Sequence, residues 1–362
     1  MSSGNTAQQF LACSQELEID KFFRAVVRLD GSHLHLKVGC PPFVRVVGTL
    51  RALDCPPIDE QQMEDLIYPL VDEQPRRAEV LREDGGVDFA HIIEVDNQRW
   101  RFRINVMHQL GHIGMVARRG NISIPNFENL HLPPILGDLC QHSQGMILLA
   151  GVTSSGKSTT IASMIDWINH HYYKHVLTLE DPIEFAFADD KCLINQREVG
   201  TDVKDFSTGM KHGVREDPDV MVVGEMRDRE TFETAIQAAE TGHLVFGTVH
   251  ASTAASTVGR ILDLFPYDMH TALRSAMVFN LKAIIAQKLL PSIAPGVKRV
   301  PACEVLLFTP TVCKLIMEAQ DDKLPDAIRI GKDEGMIDFT HSLHDLVTKE
   351  LIDRATAFEV AP

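Results

Sequence analysis

Gly151, Val152, Thr153, Ser154, Ser155, Gly156, Lys157 and Ser158 have the spacing G-x-x-x-x-G-K-S, and their flanks make this run the strongest constraint on the fold. The apolar run Met146-Ile-Leu-Leu-Ala150 precedes it and reads as a buried strand. From Lys157, with Thr159 in the first turn, to about His171 the pattern reads as a helix. A strand that enters a helix through such a loop gathers backbone N–H groups and the positive helix end around one point. Phosphate oxygens suit that point, Lys157 suits the β/γ-phosphates, and the Ser158 hydroxyl suits Mg²⁺. The context therefore predicts a nucleotide site.

The rest of this half alternates strand and helix. Val176–Leu179, Val220–Val223 and Leu244–Val249 read as strands, and Thr231–Thr241 and Thr257–Leu264 as helices. Such alternation predicts an α/β fold, a mostly parallel sheet covered by helices. After Asp268 the chain reads as mainly helical, broken by a strand at 302–307. The first half reads as α+β: strands near 34–38, 44–47, 88–93 and 99–106, the last two about a turn at Asp96-Asn97, with a helix carrying Met63, Leu66, Ile67 and Leu70. The proline-spaced stretch 125–134 reads as an extended linker. The expected domains are 1–125, 126–268 and 269–362.

A triphosphatase needs carboxylates for its metal and its attacking water. Glu180 and Asp181 follow one strand and Glu225 another, at the sheet end where a phosphate loop lies. Solvated loop acids are the competing reading. His250 follows the third strand and is the better histidine to sense a γ-phosphate; His243 stands at its start. Arg99, Arg101, Arg103, Arg118 and Arg119 fall in one acid-free stretch. They suit a solvated face, nucleic acid, or an arginine clamp on a neighbouring subunit's nucleotide.

A net charge of −15, most of it in residues 126–362, argues against nonspecific coating of nucleic acid. The seven cysteines are odd in number and form no C-x-x-C, which argues against a disulfide framework or zinc site and for a reducing cytosol. The start at Met1 shows neither a basic nor an apolar leader region, and no apolar run has the length of a membrane span.

Gly151–Ser158, Thr178–Phe185, Asp217–Asp228 and Thr241–His250 occur in order and resemble the Walker A, Asp box, Walker B and His box of the secretion ATPase superfamily, the motors of type II secretion and type IV pili. Ser32–Arg45 resembles the opening of that family's PAS-like N-terminal domain, and Arg101–Asn105 its arginine-bearing strand. Gly331–Met336 and Ser342–Leu346 resemble the tail of the pilus-retraction (PilT/PilU) branch. The resemblance implies a RecA-like P-loop core behind a PAS-like domain. It also implies a homohexamer with ATP and Mg²⁺ at subunit interfaces, docked at the cytoplasmic face of the inner membrane on a pilus or secretion platform protein. It makes Glu180 and Glu225 the Asp-box and Walker B glutamates, with Glu225 and Ser158 near the metal. Arg101, Arg103 and Arg118 become the arginines that approach the nucleotide, and His243 and His250 the His box.

Three positions depart from the family pattern. His33 replaces the usual aspartate, and Glu216 the glutamine before Asp-Pro-Asp. Thr311–Glu318 lacks both arginines of the branch's Ala-Ile-Arg-Asn-Leu-Ile-Arg-Glu-like helix. The expected function is an ATPase driving pilus retraction. The alternatives are a secretion or pilus-assembly ATPase, an accessory motor working beside a paralogue, a non-hydrolysing scaffold, and, disfavoured by charge, a RecA-like nucleic-acid translocase.

Overall fold

The structure, a computed structural model, describes residues 17–96, 98–120 and 124–361. Met1, Cys13 and Asn97 lie outside these, as does the side chain of Arg99. The chain divides into two compact units. The first comprises residues 1–123, 181–188 and 198–204; the second holds 124–180, 189–197 and 205–362.

The first unit is built from helices α1 (Asp20–Arg28), α2 (Glu60–Asp72) and α3 (Pro75–Asp84). Its strands are β1 (His33–Lys37), β2 (Phe43–Val46), β3 (Thr49–Ala52), β4 (Gly86–Val95), β5 (Gln98–Gln109) and β6 (His112–Arg119). They form one antiparallel sheet in the order β3-β2-β1-β6-β5-β4. Strand alternation sends Leu34, Leu36, Phe102, Ile104, Met115 and Ala117 into a core shared with Phe23 of α1 and Met63, Ile67 and Leu70 of α2. The other face carries the charge. Arg45, His33, Arg118 and Arg103 are successive register partners across β2, β1, β6 and β5, a row with no acid in it. Burial, then Arg118, His35 and Arg45, lower the pKa of His33, which keeps its ring neutral there.

In the second unit the sheet order is β13-β12-β7-β11-β10-β8-β9. Its strands are β7 (Gly145–Ala150), β8 (His175–Glu180), β9 (Leu193–Glu198), β10 (Val220–Val223), β11 (Leu244–Val249), β12 (Leu281–Pro291) and β13 (Arg299–Leu307). β12, β7, β11, β10 and β8 run parallel and β13 closes the edge antiparallel. Every residue of β7, β10 and β11 is buried, as expected of parallel strands covered on both faces. The helices are α4 (Ile135–Leu139), α5 (Lys157–His171), α6 (Phe206–Gly213), α7 (Arg229–Glu240), α8 (Ala254–Leu262), α9 (His270–Asn280), α10 (Pro310–Met317), α11 (Leu324–Ile330), α12 (Phe339–Thr348) and α13 (Arg354–Val360). Each buried Val, Leu or Ile of this sheet contributes about 1.5–3 kcal/mol.

Two expectations are corrected. Residues 281–291, expected in a helical tail, are the 11-residue strand β12 in the same sheet as the glycine-rich loop. The 125–134 stretch is not extended throughout. The Asn126 side chain accepts the Asn129 N–H at 2.8 Å, its carbonyl accepts the Leu130 N–H, and the resulting turn buries Leu132 ahead of α4. No described helix is long and apolar enough to cross a membrane.

Candidate nucleotide site

Parallel strands end on one side of a sheet, and the loops there hold the predicted residues. Going from β7 across β11 and β10 to β8, the strand ends carry the glycine-rich loop, His250, Glu225 and Glu180, and Gln287, within the neighbouring β12, lies level with the end of β7.

The loop needs its glycines. Gly151 sits at φ +151° and Gly156 at φ +92°, and a Cβ at Gly151 would lie 2.4 Å from Ser155 Oγ. Ser154 takes the left-handed conformation at φ +65°. Gly156 is the N-cap of α5 and supplies no side-chain cap, so the helix presents open N–H groups. Val152, Thr153, Ser154 and Ser158 are exposed, whereas Ser155 and Lys157 are buried. Lys157 Nζ donates to the Gly151 carbonyl at 2.8 Å and to the Val152 carbonyl at 3.0 Å, which keeps its charge at the loop. Ser155 Oγ is buried without a hydrogen-bond partner. An uncapped helix end, a buried cation and an unpartnered hydroxyl fit a phosphate group.

Glu180 closes β8. Its Oε1 accepts the Thr178 hydroxyl at 2.7 Å and Gln196 Nε2 at 3.1 Å, so side chains of β8 and β9 orient it. Asp181 is exposed and belongs to the first unit. Past β10, the Thr248 hydroxyl donates to the Gly224 carbonyl at 2.6 Å and the Met226 N–H to the Thr248 carbonyl, shaping the turn that presents Glu225. Glu225 Oε1 lies 2.8 Å from His250 Nε2 and also against Arg227 Nε. Burial alone would raise the Glu225 pKa. Arg227 and then His250 outweigh it, and the carboxyl stays below its ordinary value and ionised. Among the described residues no group of three His, Cys, Asp or Glu side chains would hold a metal ion. A Mg²⁺ usually takes one or two protein oxygens and completes its shell with phosphates and water, and the Ser158 hydroxyl and Glu225 carboxylate are donors of the kind it takes.

The remaining sequence-predicted residues scatter. His243 is at the opposite end of β11, with Nδ1 2.8 Å from the Ala238 carbonyl. In the first unit Arg101 Nη2 donates to Glu198 Oε2 at 3.0 Å, an engagement between side chains only 14% and 6% exposed. Arg103 is half exposed, 3.6 Å from Asp88, and Arg118 is exposed. Sequence reasoning missed Thr178, Gln196, Thr248 and Gln287. Each is a polar residue buried or half-buried in an apolar strand or beside one, the available signal for a positioning role.

The comparisons with known proteins agree with this fold. The family model for type II/IV secretion system proteins matches residues 98–330. The chain is 38% identical over 350 residues to the type IV pilus retractation ATPase PilT of Pseudomonas aeruginosa, covering 95% of this chain and 98% of that one. It is 35% identical to the type IV pilus ATPase PilU of the same organism, over 92% and 86% of the two chains. The crystal structure of the pilus retraction motor PilT with bound ADP superposes with a TM-score of 0.85 at 39% identity, covering 96% of this chain and 98% of that one. With a P-loop core, a smaller N-terminal α+β unit and this similarity along nearly its whole length, the chain belongs to the type II/IV secretion system protein family.

Proposed function

We propose that this protein is an ATP-hydrolysing motor that drives type IV pilus retraction. It acts as a homohexamer docked on an inner-membrane platform protein at the cytoplasmic face. The observation that carries the reading is the order of groups along the strand ends: uncapped phosphate loop, His250, Glu225, Glu180 on adjacent parallel strands.

In this reading the loop N–H groups and Lys157 bind the β- and γ-phosphates. Ser158 and Glu225 hold Mg²⁺, which when bound neutralises charge on the transferring phosphoryl group. Glu225 arrives ionised, as a metal ligand must. Glu180, held by Thr178 and Gln196, orients the attacking water. His250 touches Glu225, so a change at the γ-phosphate reaches β11 through one contact. Arg103 and Arg118, register partners on the exposed sheet face, serve as the arginines that meet a nucleotide across a subunit boundary. Arg101 braces the first unit through Glu198. A motor that works beside a paralogous one is the second reading, favoured by α10, where the residues matching the arginine-bearing helix retain Lys314 as their cation.

The test is Mg²⁺-dependent ATP hydrolysis by the purified chain. Lys157→Ala should abolish binding and turnover, and Glu225→Ala turnover. Undiminished hydrolysis by the Lys157 variant overturns the site.

A further inference from the structure

β12 runs parallel to β7 with Ala286 opposite Ala150, so the next residue, Gln287, stands beside Gly151 where the loop begins. Gln287 is 2% exposed, yet it carries a primary amide in a strand whose other buried residues are Ala, Ile and Leu. Both ends of that amide are used, one on the phosphate loop and one on the first turn of α5. Nε2 donates to the Ser155 carbonyl at 2.8 Å, and Oε1 accepts the Thr160 hydroxyl at 2.8 Å, both bonds buried. The amide orientation follows from chemistry, since a carbonyl only accepts and so must face the nitrogen. Gly156 is shaped around the same group: a Cβ there would lie 2.6 Å from Gln287 Nε2.

The consequence concerns the N–H groups that meet phosphate. In a planar trans peptide the C=O and N–H point in opposite directions. Gln287 draws the Ser155 carbonyl inward, so the Gly156 N–H of the same peptide points away, to the open side of the loop. Through Thr160 the same amide holds the first turn of α5, whose N–H groups form the other half of the cradle. Without this brace the peptide is free to turn over and present an oxygen where a phosphate must sit.

We propose that Gln287 is a positioning residue that presets the phosphate loop for nucleotide. The proposal rests on the nucleotide site described above and adds a residue outside its motifs. An aligned loop donor acts on bound substrate and transition state alike, so its loss should raise KM rather than lower kcat.

The test uses the full chain with Gln287→Met, which keeps length and removes both bonds. Equilibrium ATP affinity, KM, kcat and the nucleotide-free unfolding midpoint are read together. Kd and KM should rise about tenfold, the effect of one well-placed hydrogen bond, with kcat per folded molecule within about threefold of wild type. A lower midpoint with unchanged Kd and KM means that Gln287 only packs the core, and overturns the proposal. Should Gln287→Met not fold, Thr160→Val frees one end of the amide and should give a smaller rise in Kd; an unchanged Kd there also overturns it. Wild type and Lys157→Ala run alongside, to separate failure of the brace from failure of the site. Wild type that binds no ATP refutes the site and the brace with it. Binding by wild type that is lost in Lys157→Ala upholds the site, and an unchanged Kd in the Gln287 variant then overturns the brace alone.

Discussion

Replacing Arg101 by alanine should destabilise the first unit, more at pH 8 than at pH 5. Glu198 Oε2 accepts Arg101 at 3.0 Å and the Ile183 N–H at 3.3 Å, while Oε1 accepts the Thr201 hydroxyl at 3.3 Å. The substitution leaves a carboxylate that is almost wholly buried with neutral donors only. Removing one partner of a buried pair costs roughly 3–5 kcal/mol, and the residual exposure of Arg101 places this case near about 3 kcal/mol. That corresponds to roughly 6–12 °C in unfolding midpoint. Burial already raises the Glu198 pKa, with Arg101 the largest influence opposing it. Without the guanidinium the pKa rises further. Between the ordinary glutamate value and the raised one, the folded chain then keeps a proton that the unfolded chain has lost. Stability therefore falls as pH climbs through that window. Urea unfolding of the full chain in a Trp167→Phe background leaves Trp100, next to Arg101, as the reporter. Adding Glu198→Gln to Arg101→Ala removes the orphaned charge and should recover at least about 1 kcal/mol at pH 8. Equal midpoints for wild type and Arg101→Ala at both pH values, or no recovery in the double variant, would refute the reasoning.

Arg227→Ala removes the main influence lowering the Glu225 pKa and leaves burial opposed by His250 alone, so the acid limb of the kcat/KM pH profile should move to higher pH; an unmoved limb means that Glu225 does not set it. Arg118→Ala should bind nucleotide and hydrolyse it slowly, and mixing it with inactive Lys157→Ala should restore turnover if the arginine acts across the interface. Isolated monomers of full activity would exclude that arrangement. Sedimentation of the wild type with ATP should show six subunits, and a monomer at working concentration would contradict the ring.

The phosphate loop was legible because three local signals agree there: an apolar run, glycines at positions of positive φ, and helical periodicity from Lys157 onward. β10 and β11 were legible as short valine-rich runs. β12 was not. Leu281, Ile284, Ile285 and Leu289 fall at helical spacing, and a strand buried on both faces lacks the alternation that would mark it. With β12 went Gln287, whose partners lie 127 and 132 residues away. The same limit hid the role of Arg101. Its sequence neighbours place it in an acid-free run of arginines, but its Glu198 partner is 97 residues distant, and only the folded chain brings that buried glutamate to it. Local chemistry thus picked out the candidate phosphate residues, and tertiary pairing decides which side chains hold that loop in place.

The central claim, that hydrolysis at this site powers filament retraction, is tested most directly in cells whose only copy of the gene carries Glu225→Ala. Surface pili are counted and twitching is scored in the same strain. Pili should persist or accumulate while twitching fails, since extension continues and withdrawal stops. Loss of surface pili would contradict the claim and assign the motor to assembly or secretion.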